Sequence, residues 1–220
     1  MSAWLRASAV LLVAVLTVST QPAFSEDAEA TVTPDQAAAF IQDLSSKALS
    51  VLRDQSKTEA DREAIFRGML KDGFDMDFIG RFVLGINWRK ATPQQRDEYQ
   101  ELFNEYVLKT YSARLGGFTN EEFKVSGTQP AGKRDIMVHS EIARKGQAQP
   151  ITADWRVRLI DGQPKVIDVV VEGVSMSISQ RQEFASVVQS KGIDGLLETL
   201  KARIKNGAPA TTDQAGSSGT

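Results

Sequence analysis

The sequence predicts an α+β domain, with helices packed on one face of a twisted antiparallel sheet. Three observations carry this reading. Apolar residues recur at helical spacing from Thr33 to about Leu115. From Phe123 to Glu172 they alternate with polar residues, at the two-residue period of a strand. Helical spacing then returns between Ser179 and Ile204.

Each element has its own signal. Thr33-Pro34-Asp35-Gln36 is a helix start, with Thr as cap, Pro in the first turn and Gln where a capping box needs it. Ala37, Phe40, Ile41, Leu44, Ala48 and Leu52 then share one stripe. A second helix is expected from Thr58 to Asp72, with Ile65, Phe66, Met69 and Leu70 inward and Gly73 as its stop. Asp75 is placed to cap a short helix through Phe78, Ile79, Phe82, Val83 and Leu84. That segment is apolar nearly all round, so it must be buried on more than one side or face an apolar ligand. Thr92-Pro93-Gln94-Gln95 opens the longest helix, with Tyr99, Leu102, Phe103, Tyr106, Thr110 and Ala113 as its stripe and Gly116-Gly117 at its end.

In the β region, Phe123-Lys124-Val125 reads as a short strand, and Ile136, Val138, Ser140 and Ile142 alternate with Met137, His139 and Glu141. The clearest strand runs from Ile151 to Leu159. Ile151, Ala153, Trp155, Val157 and Leu159 fall on one face; Thr152, Asp154, Arg156 and Arg158 fall on the other. Asp161-Gly162 marks a turn into Lys165 to Glu172. This predicts one sheet face covered by helices and one more polar face. Two last helical segments, Ser179 to Ser190 and Asp194 to Ile204, are separated by Gly192.

Composition narrows the function. The 220 residues, 41% hydrophobic and 25% charged, suit one domain with appendages. Formal charge is −2 with the signs mixed along the chain, which argues against nucleic acid as a partner. The absence of cysteine removes disulfides, thiol nucleophiles and cysteine-held metals. A single histidine, His139, leaves little for zinc or acid–base chemistry. No glycine-rich phosphate loop occurs, so no nucleotide and no cofactor is expected.

Arg6, the apolar run from Ala7 to Val18 and the small-residue pattern Ala23-Phe24-Ser25 read as a signal peptide over residues 1–25, cut near Ser25. The run is shorter than the roughly 20 apolar residues a membrane span needs. An exported chain is therefore expected. Residues 26–32 are expected to form a flexible N-terminus, 33–205 the folded domain and 206–220 a disordered tail.

Three features invite a chemical reading. Gly173-Val174-Ser175-Met176-Ser177 begins like a nucleophile elbow, but Ser177 stands where the elbow needs glycine. A hydrolase would also need His139 delivered to Ser175. Asp75-Met76-Asp77 resembles a carboxylate metal pair, yet helix capping accounts for it better and no metal site is assigned. Arg89-Lys90, Lys133-Arg134 and Arg144-Lys145 are short basic pairs in expected loops, suited to solvent, acidic partners or lipid phosphate.

Two stretches resemble a known family. The first runs from Phe82 through Leu84-Gly85-Ile86-Asn87-Trp88-Arg89 to Thr92-Pro93-Gln94-Gln95-Arg96 and on to Tyr106 and Tyr111. The second is Asp168-Val169-Val170-Val171-Glu172-Gly173-Val174-Ser175-Met176, followed by Arg181, Phe184 and Lys191-Gly192-Ile193-Asp194-Gly195-Leu196. Together they are similar to MlaC, the periplasmic phospholipid carrier family that includes the toluene-tolerance proteins. The resemblance spans roughly Thr33 to Ile204. It departs at Pro164, where the family usually has an aromatic residue before the lysine of the last strand. A related subfamily associated with hopanoid loci shares the layout.

The resemblance implies a fold enclosing a deep apolar pocket for acyl tails, with the head group outside. It further implies a phospholipid cargo, shuttled between an outer-membrane lipoprotein–porin complex (MlaA-like) and an inner-membrane ABC transporter complex (MlaFEDB-like) that maintain outer-membrane lipid asymmetry. The alternatives are a carrier of another hydrophobic ligand, such as a hopanoid, and a serine hydrolase using Ser175 and His139. Physics suits a carrier. At about 0.8 kcal/mol per CH₂, exposing both tails of a diacyl lipid costs on the order of 20 kcal/mol, so continuous apolar walls are required. The expected walls are Phe82, Val83 and Leu84; Phe103 and Tyr106; Ile151, Ala153, Trp155 and Val157; and Val169, Val174 and Met176.

Overall fold

A computed structural model describes residues 31–54, 56–115, 121–144 and 148–206 of the chain, with the side chains of 59 and 112–115 left out. The expected signal peptide, most of the N-terminal tail, Gly116-Gly117, Lys145, the side chain of Ala113 and nearly all of the C-terminal tail lie outside the described residues. Six helices and five strands follow in chain order among them. The helices are α1 (Pro34–Arg53), α2 (Glu59–Gly73), α3 (Met76–Leu84), α4 (Asn87–Lys90), α5 (Pro93–Leu115) and α6 (Met176–Asn206). The strands are β1 (Glu122–Pro130), β2 (Asp135–Ala143), β3 (Ile151–Ile160), β4 (Gln163–Val171) and β5 (Val174–Ser175). They form one antiparallel sheet in the order β1-β2-β3-β4-β5, each strand pairing with the next in sequence.

Local chemistry sets the helix starts. Thr33 and Gln36 form a reciprocal capping box, as do Thr58 with Asp61 and Thr92 with Gln95. Val32, placed in the tail by the sequence reading, is 3% exposed and shares a cluster with Ala37. The residue before a cap and the fourth helical residue are where a hydrophobic staple forms, so ordered packing begins ahead of the helix. Asp75 caps α3 by accepting the Phe78 N–H at 3.0 Å.

Four elements differ from expectation. Strand β1 has nine residues rather than three, because Ser126, Gly127, Gln129 and Pro130 hide its alternation and an edge strand tolerates Gly and Pro. Arg89 and Lys90 sit in the one-turn helix α4, not a loop. Gly73 is the last residue of α2, with Phe74 as cap. The last helix starts at Met176 rather than Ser179, although its ladder is broken at Gly192 as expected.

Turns and bulges fix the sheet's register. Asp161 and Gly162 both have positive φ (48° and 75°), as a two-residue hairpin turn between β3 and β4 requires. Between β3 and β4 a bulge sets Arg156 against Asp168 and Val157 against Val166, leaving Ile167 as the extra residue. Pro164 pairs with Leu159 near the start of β4, a position where a missing N–H is tolerated.

Two apolar clusters result. Val32, Ala37 and Ile41 meet Ile136, Val138, Val157 and Val166, so α1 covers one face of the sheet. Val83 and Leu84 of α3 meet Tyr99, Phe103 and Tyr106 of α5 and Phe184, Leu196, Leu197 and Leu200 of α6. The opposite sheet face carries Glu141, Thr152, Asp154, Arg156 and Arg158. Asp135, 3% exposed, is held there by Arg156 at 2.7 Å and by Arg158 at 2.6 and 3.0 Å.

Candidate functional site

Seven of the twelve expected wall residues fall in these two clusters. Val83, Leu84, Phe103 and Tyr106 are each 1–2% exposed and belong to the helical cluster. Phe103 stacks on Tyr99 at 5.7 Å and meets Phe184 edge-on at 6.4 Å. The Tyr106 hydroxyl donates to Gln180 Oε1 at 3.2 Å, and burial, followed by the negative field of Glu183, pushes its phenol above the usual range. Val157 is buried in the α1–sheet cluster, with Trp155 and Val169 half-buried against it, and Ala153 is buried but belongs to neither cluster. Trp155 donates its ring N–H to Ser140 Oγ at 3.0 Å, and Phe123 packs against its indole at 6.3 Å. Phe82, Ile151, Val174 and Met176 belong to neither cluster: Ile151 pairs with Ile142, Val174 is 44% exposed, and Met176 is half-buried at the start of α6.

What the list of wall residues missed is a line of half-buried apolar side chains beside the α1–sheet cluster. Phe40, Leu44, Phe74, Phe123, Val125 and Leu159 pack against it without being closed over. Phe40, Leu44 and Leu159 lay on stripes already legible in the sequence. Phe123 and Val125 lie on the expected first strand. Phe74 carried no signal; its place comes from a parallel bridge to Val166 beyond the end of α2.

A groove of about 540 Å³ also runs along α1, lined by Ser46, Leu49, Ser50, Arg53 and Asp54. Hydrogen bonds from Ser56 and Lys57 hold the Asp54 carboxyl down at about 2. Hydroxyls and an ionised carboxylate suit hydrated polar groups, not hydrocarbon.

The reactive-looking residues have structural tasks. Ser175 donates to Asp168 Oδ2 at 2.6 Å and accepts the Ile178 N–H at 3.1 Å, capping α6. His139 Nδ1 faces Asp154 Oδ1 at 2.9 Å. Register runs from His139 to Asp154, then Val170, then Ser175, so three strand spacings, roughly 14 Å, separate this histidine from this serine. No dyad forms between them. Asp75 is a cap, and among the described residues no group of three or more acidic or histidine side chains is placed to hold a metal.

The two sequence motifs are joints. In the first, Gly85 adopts φ +61°, and a Cβ there would lie 2.9 Å from Arg181 Nε, so glycine permits both the turn and the approach of α6. Arg96 Nε donates to the Trp88 carbonyl at 2.7 Å, and Gln95 reaches Asp194 Oδ1 at 2.6 Å, tying α5 to α4 and α6. In the second, Glu172 and Gly173 both have positive φ and form the two-residue turn from β4 to β5. The Glu172 carboxylate accepts the Thr152 hydroxyl at 3.0 Å, fastening that turn to β3.

The family described as MlaC protein matches residues 42–202, more than half of the chain and most of both clusters. This chain belongs to the MlaC family. The intermembrane phospholipid transport system binding protein MlaC of Haemophilus influenzae is 25% identical over 154 residues, which cover 67% of this chain and 72% of that protein. A toluene tolerance protein of Pseudomonas putida is 28% identical over 122 residues, 54% of this chain and 56% of the relative. Among solved structures, the phospholipid-binding protein from Ralstonia solanacearum, in complex with a phospholipid, shares the fold with a TM-score of 0.68 at 21% identity, over 78% of this chain and 98% of the other. The α+β architecture is thus that of an MlaC-like domain. Among the described residues no helix is long and apolar enough to cross a membrane.

Proposed function

We propose that this MlaC-family chain is a periplasmic phospholipid carrier, moving lipid between an outer-membrane lipoprotein–porin complex and an inner-membrane ABC transporter. It binds and releases without covalent chemistry, and ATP is hydrolysed by the transporter. The observation that carries this reading is the family match across residues 42–202, which takes in every strand. The half-buried line of Phe40, Leu44, Phe123, Val125, Trp155 and Val169 supports it, because acyl tails need apolar walls that part without unfolding either closed cluster. Of the twelve expected wall residues, Trp155 and Val169 lie on this line and would take part when it opens, while Val83, Leu84, Phe103 and Tyr106 stay inside the closed helical cluster. Tail exposure is costly enough that release should require a partner to open the domain.

Mass spectrometry of an organic extract of the native protein tests this. Phospholipid in stoichiometric amount is expected. An extract dominated by hopanoid would replace the cargo, and an extract without stoichiometric lipid would end the carrier reading.

A further inference from the structure

Packing holds α2 less than the other long helices. Every residue from Ala60 to Met69 is exposed or half-buried, and buried Leu70 and Gly73 lie at its far end. By contrast, α1, α3, α5 and α6 carry buried residues on successive turns. Ile65, Phe66 and Met69 give α2 an apolar side that is half-buried yet belongs to neither closed cluster. The helix lies against α1, α5 and β4.

Its two ends are fastened differently. Past the C-terminal end, the Asp75 N–H donates to the Val166 carbonyl at 3.0 Å, and Phe74 bridges Val166 in parallel. Gly73 sits so close to α1 that a Cβ there would lie 3.1 Å from Leu44 Cδ1. Lys165 donates to the Asp72 carbonyl at 2.6 Å.

The N-terminal half is held to α5 by charge. Lys109 reaches both Glu63 oxygens at 2.9 and 3.0 Å, and Arg67 reaches Glu105 at 2.9 Å. These four side chains are 26–55% exposed, so water and salt screen them and each pair contributes little. Arg62 Nε, on the same stretch, is buried without an acceptor among the described residues. Lifting this end hydrates it, which offsets part of the cost of separating the ion pairs.

We propose that α2 is a lid over the tail path, hinged at Gly73–Phe74 and latched to α5 by Glu63–Lys109 and Arg67–Glu105. The hinge lies on the half-buried line, of which Phe74 and Leu44 are members. Swinging the other end outward uncovers Ile65, Phe66 and Met69 and leaves both closed clusters intact. Main-chain bonds at one end and screened side-chain pairs at the other decide which end moves. The inference deepens the carrier reading and rests on it for what passes beneath the helix.

The test uses Phe66→Cys, which places a single thiol on the inner side of α2 in a chain without other cysteines. Its rate of maleimide labelling reads lid opening. Transfer of a fluorescent phospholipid from the same protein to acceptor vesicles reads release. Arg67→Met with Lys109→Met in that background should raise both rates about fivefold, the combined effect of two exposed ion pairs. High salt should speed the latched protein and leave the unlatched one nearly unchanged. Lys201→Met, which breaks a comparable pair to Glu98 between α5 and α6, should leave both rates as they were. Near-UV circular dichroism, carried by aromatic side chains outside α2, should match in all three proteins and so separates lid motion from general unfolding. Labelling that ignores the loss of the latch, or faster labelling with unchanged release, overturns the proposal. The lipid extract keeps the two readings apart. An extract without lipid ends the carrier reading while labelling still decides whether α2 lifts; bound lipid with unaltered labelling ends the lid alone.

Discussion

The hydroxyl of Ser175 donates to one oxygen of Asp168 at 2.6 Å, while the other oxygen accepts the Ser177 backbone N–H at 3.1 Å. Ser175 also receives the Ile178 N–H, so its proton and a lone pair are both committed to starting α6. Ser175→Ala should therefore act as the loss of a helix cap, costing about 1 kcal/mol in urea denaturation. Hydrolysis of an activated ester should stay at the solvent background in both proteins. Turnover that disappeared with the Ser175 hydroxyl would sink this account.

Asp135 supplies the clearest acid sensitivity. Burial alone would raise its carboxyl, but the Arg158 and Arg156 guanidiniums outweigh this and hold it below the ordinary carboxylate range. A carboxylate with a lowered native value contributes stability above its unfolded value, about pH 4, and loses it as pH falls through the native value. Asp135→Asn leaves two guanidiniums against a neutral amide. Arg156 is 41% exposed and can hydrate, so the cost should be about 2–3 kcal/mol rather than the larger figure for a sealed pair. Denaturation at pH 7 should show that loss, and the difference between the proteins should shrink towards pH 2.

Tyr99 governs the alkaline side. It is fully buried, donates to the Gly80 carbonyl at 3.0 Å, and burial raises its phenol well above the usual value. The native state thus keeps a proton that the unfolded chain releases near pH 10, so this contribution is whole below that pH and declines above it. Tyr99→Phe should cost about 1 kcal/mol at neutral pH and flatten the alkaline decline. An unchanged slope between pH 9 and 11 would remove Tyr99 as its source.

The capping boxes at Thr33 and Thr92, the extent of α5 and the inward face of β3 were legible because each depends on neighbours within a turn or on strict alternation. Less was legible in α3. Its nearly all-round apolar character posed a choice between double burial and an apolar ligand. The structure takes the first, with Val83 and Leu84 packed against α5 and α6 and the Phe78 and Phe82 rings roofed on the other side by Arg158 and Arg181, from elements about 80 and 100 residues away in sequence. Periodicity also cannot separate a closed position such as Phe103 from a half-open one such as Trp155, since both lie on inward stripes. That difference depends on which elements close over the stripe, and it is what divides seven of the expected wall residues between two clusters.

The division can be read by mutation. Phe103 touches Tyr99 and Phe184 inside the closed helical cluster, so Phe103→Ala should leave a cavity and cost about 3–5 kcal/mol. Ile151 lies half-buried at the open start of β3, and Val174 is 44% exposed beside the β4–α6 joint. Ile151→Glu or Val174→Glu should cost less than about 1.5 kcal/mol, because the carboxylate can reach water. If these two side chains border the tail path, either glutamate should sharply reduce the lipid that co-purifies, since an ionised group there opposes hydrocarbon. Melting temperature and extracted lipid, measured on the same preparations, separate the cases. Phe103→Ala should lower the first far more than the second per folded molecule, and the glutamate variants should do the reverse. Full lipid loading in both glutamate variants would remove Ile151 and Val174 from the wall and shift the path towards Phe123, Val125 and Trp155.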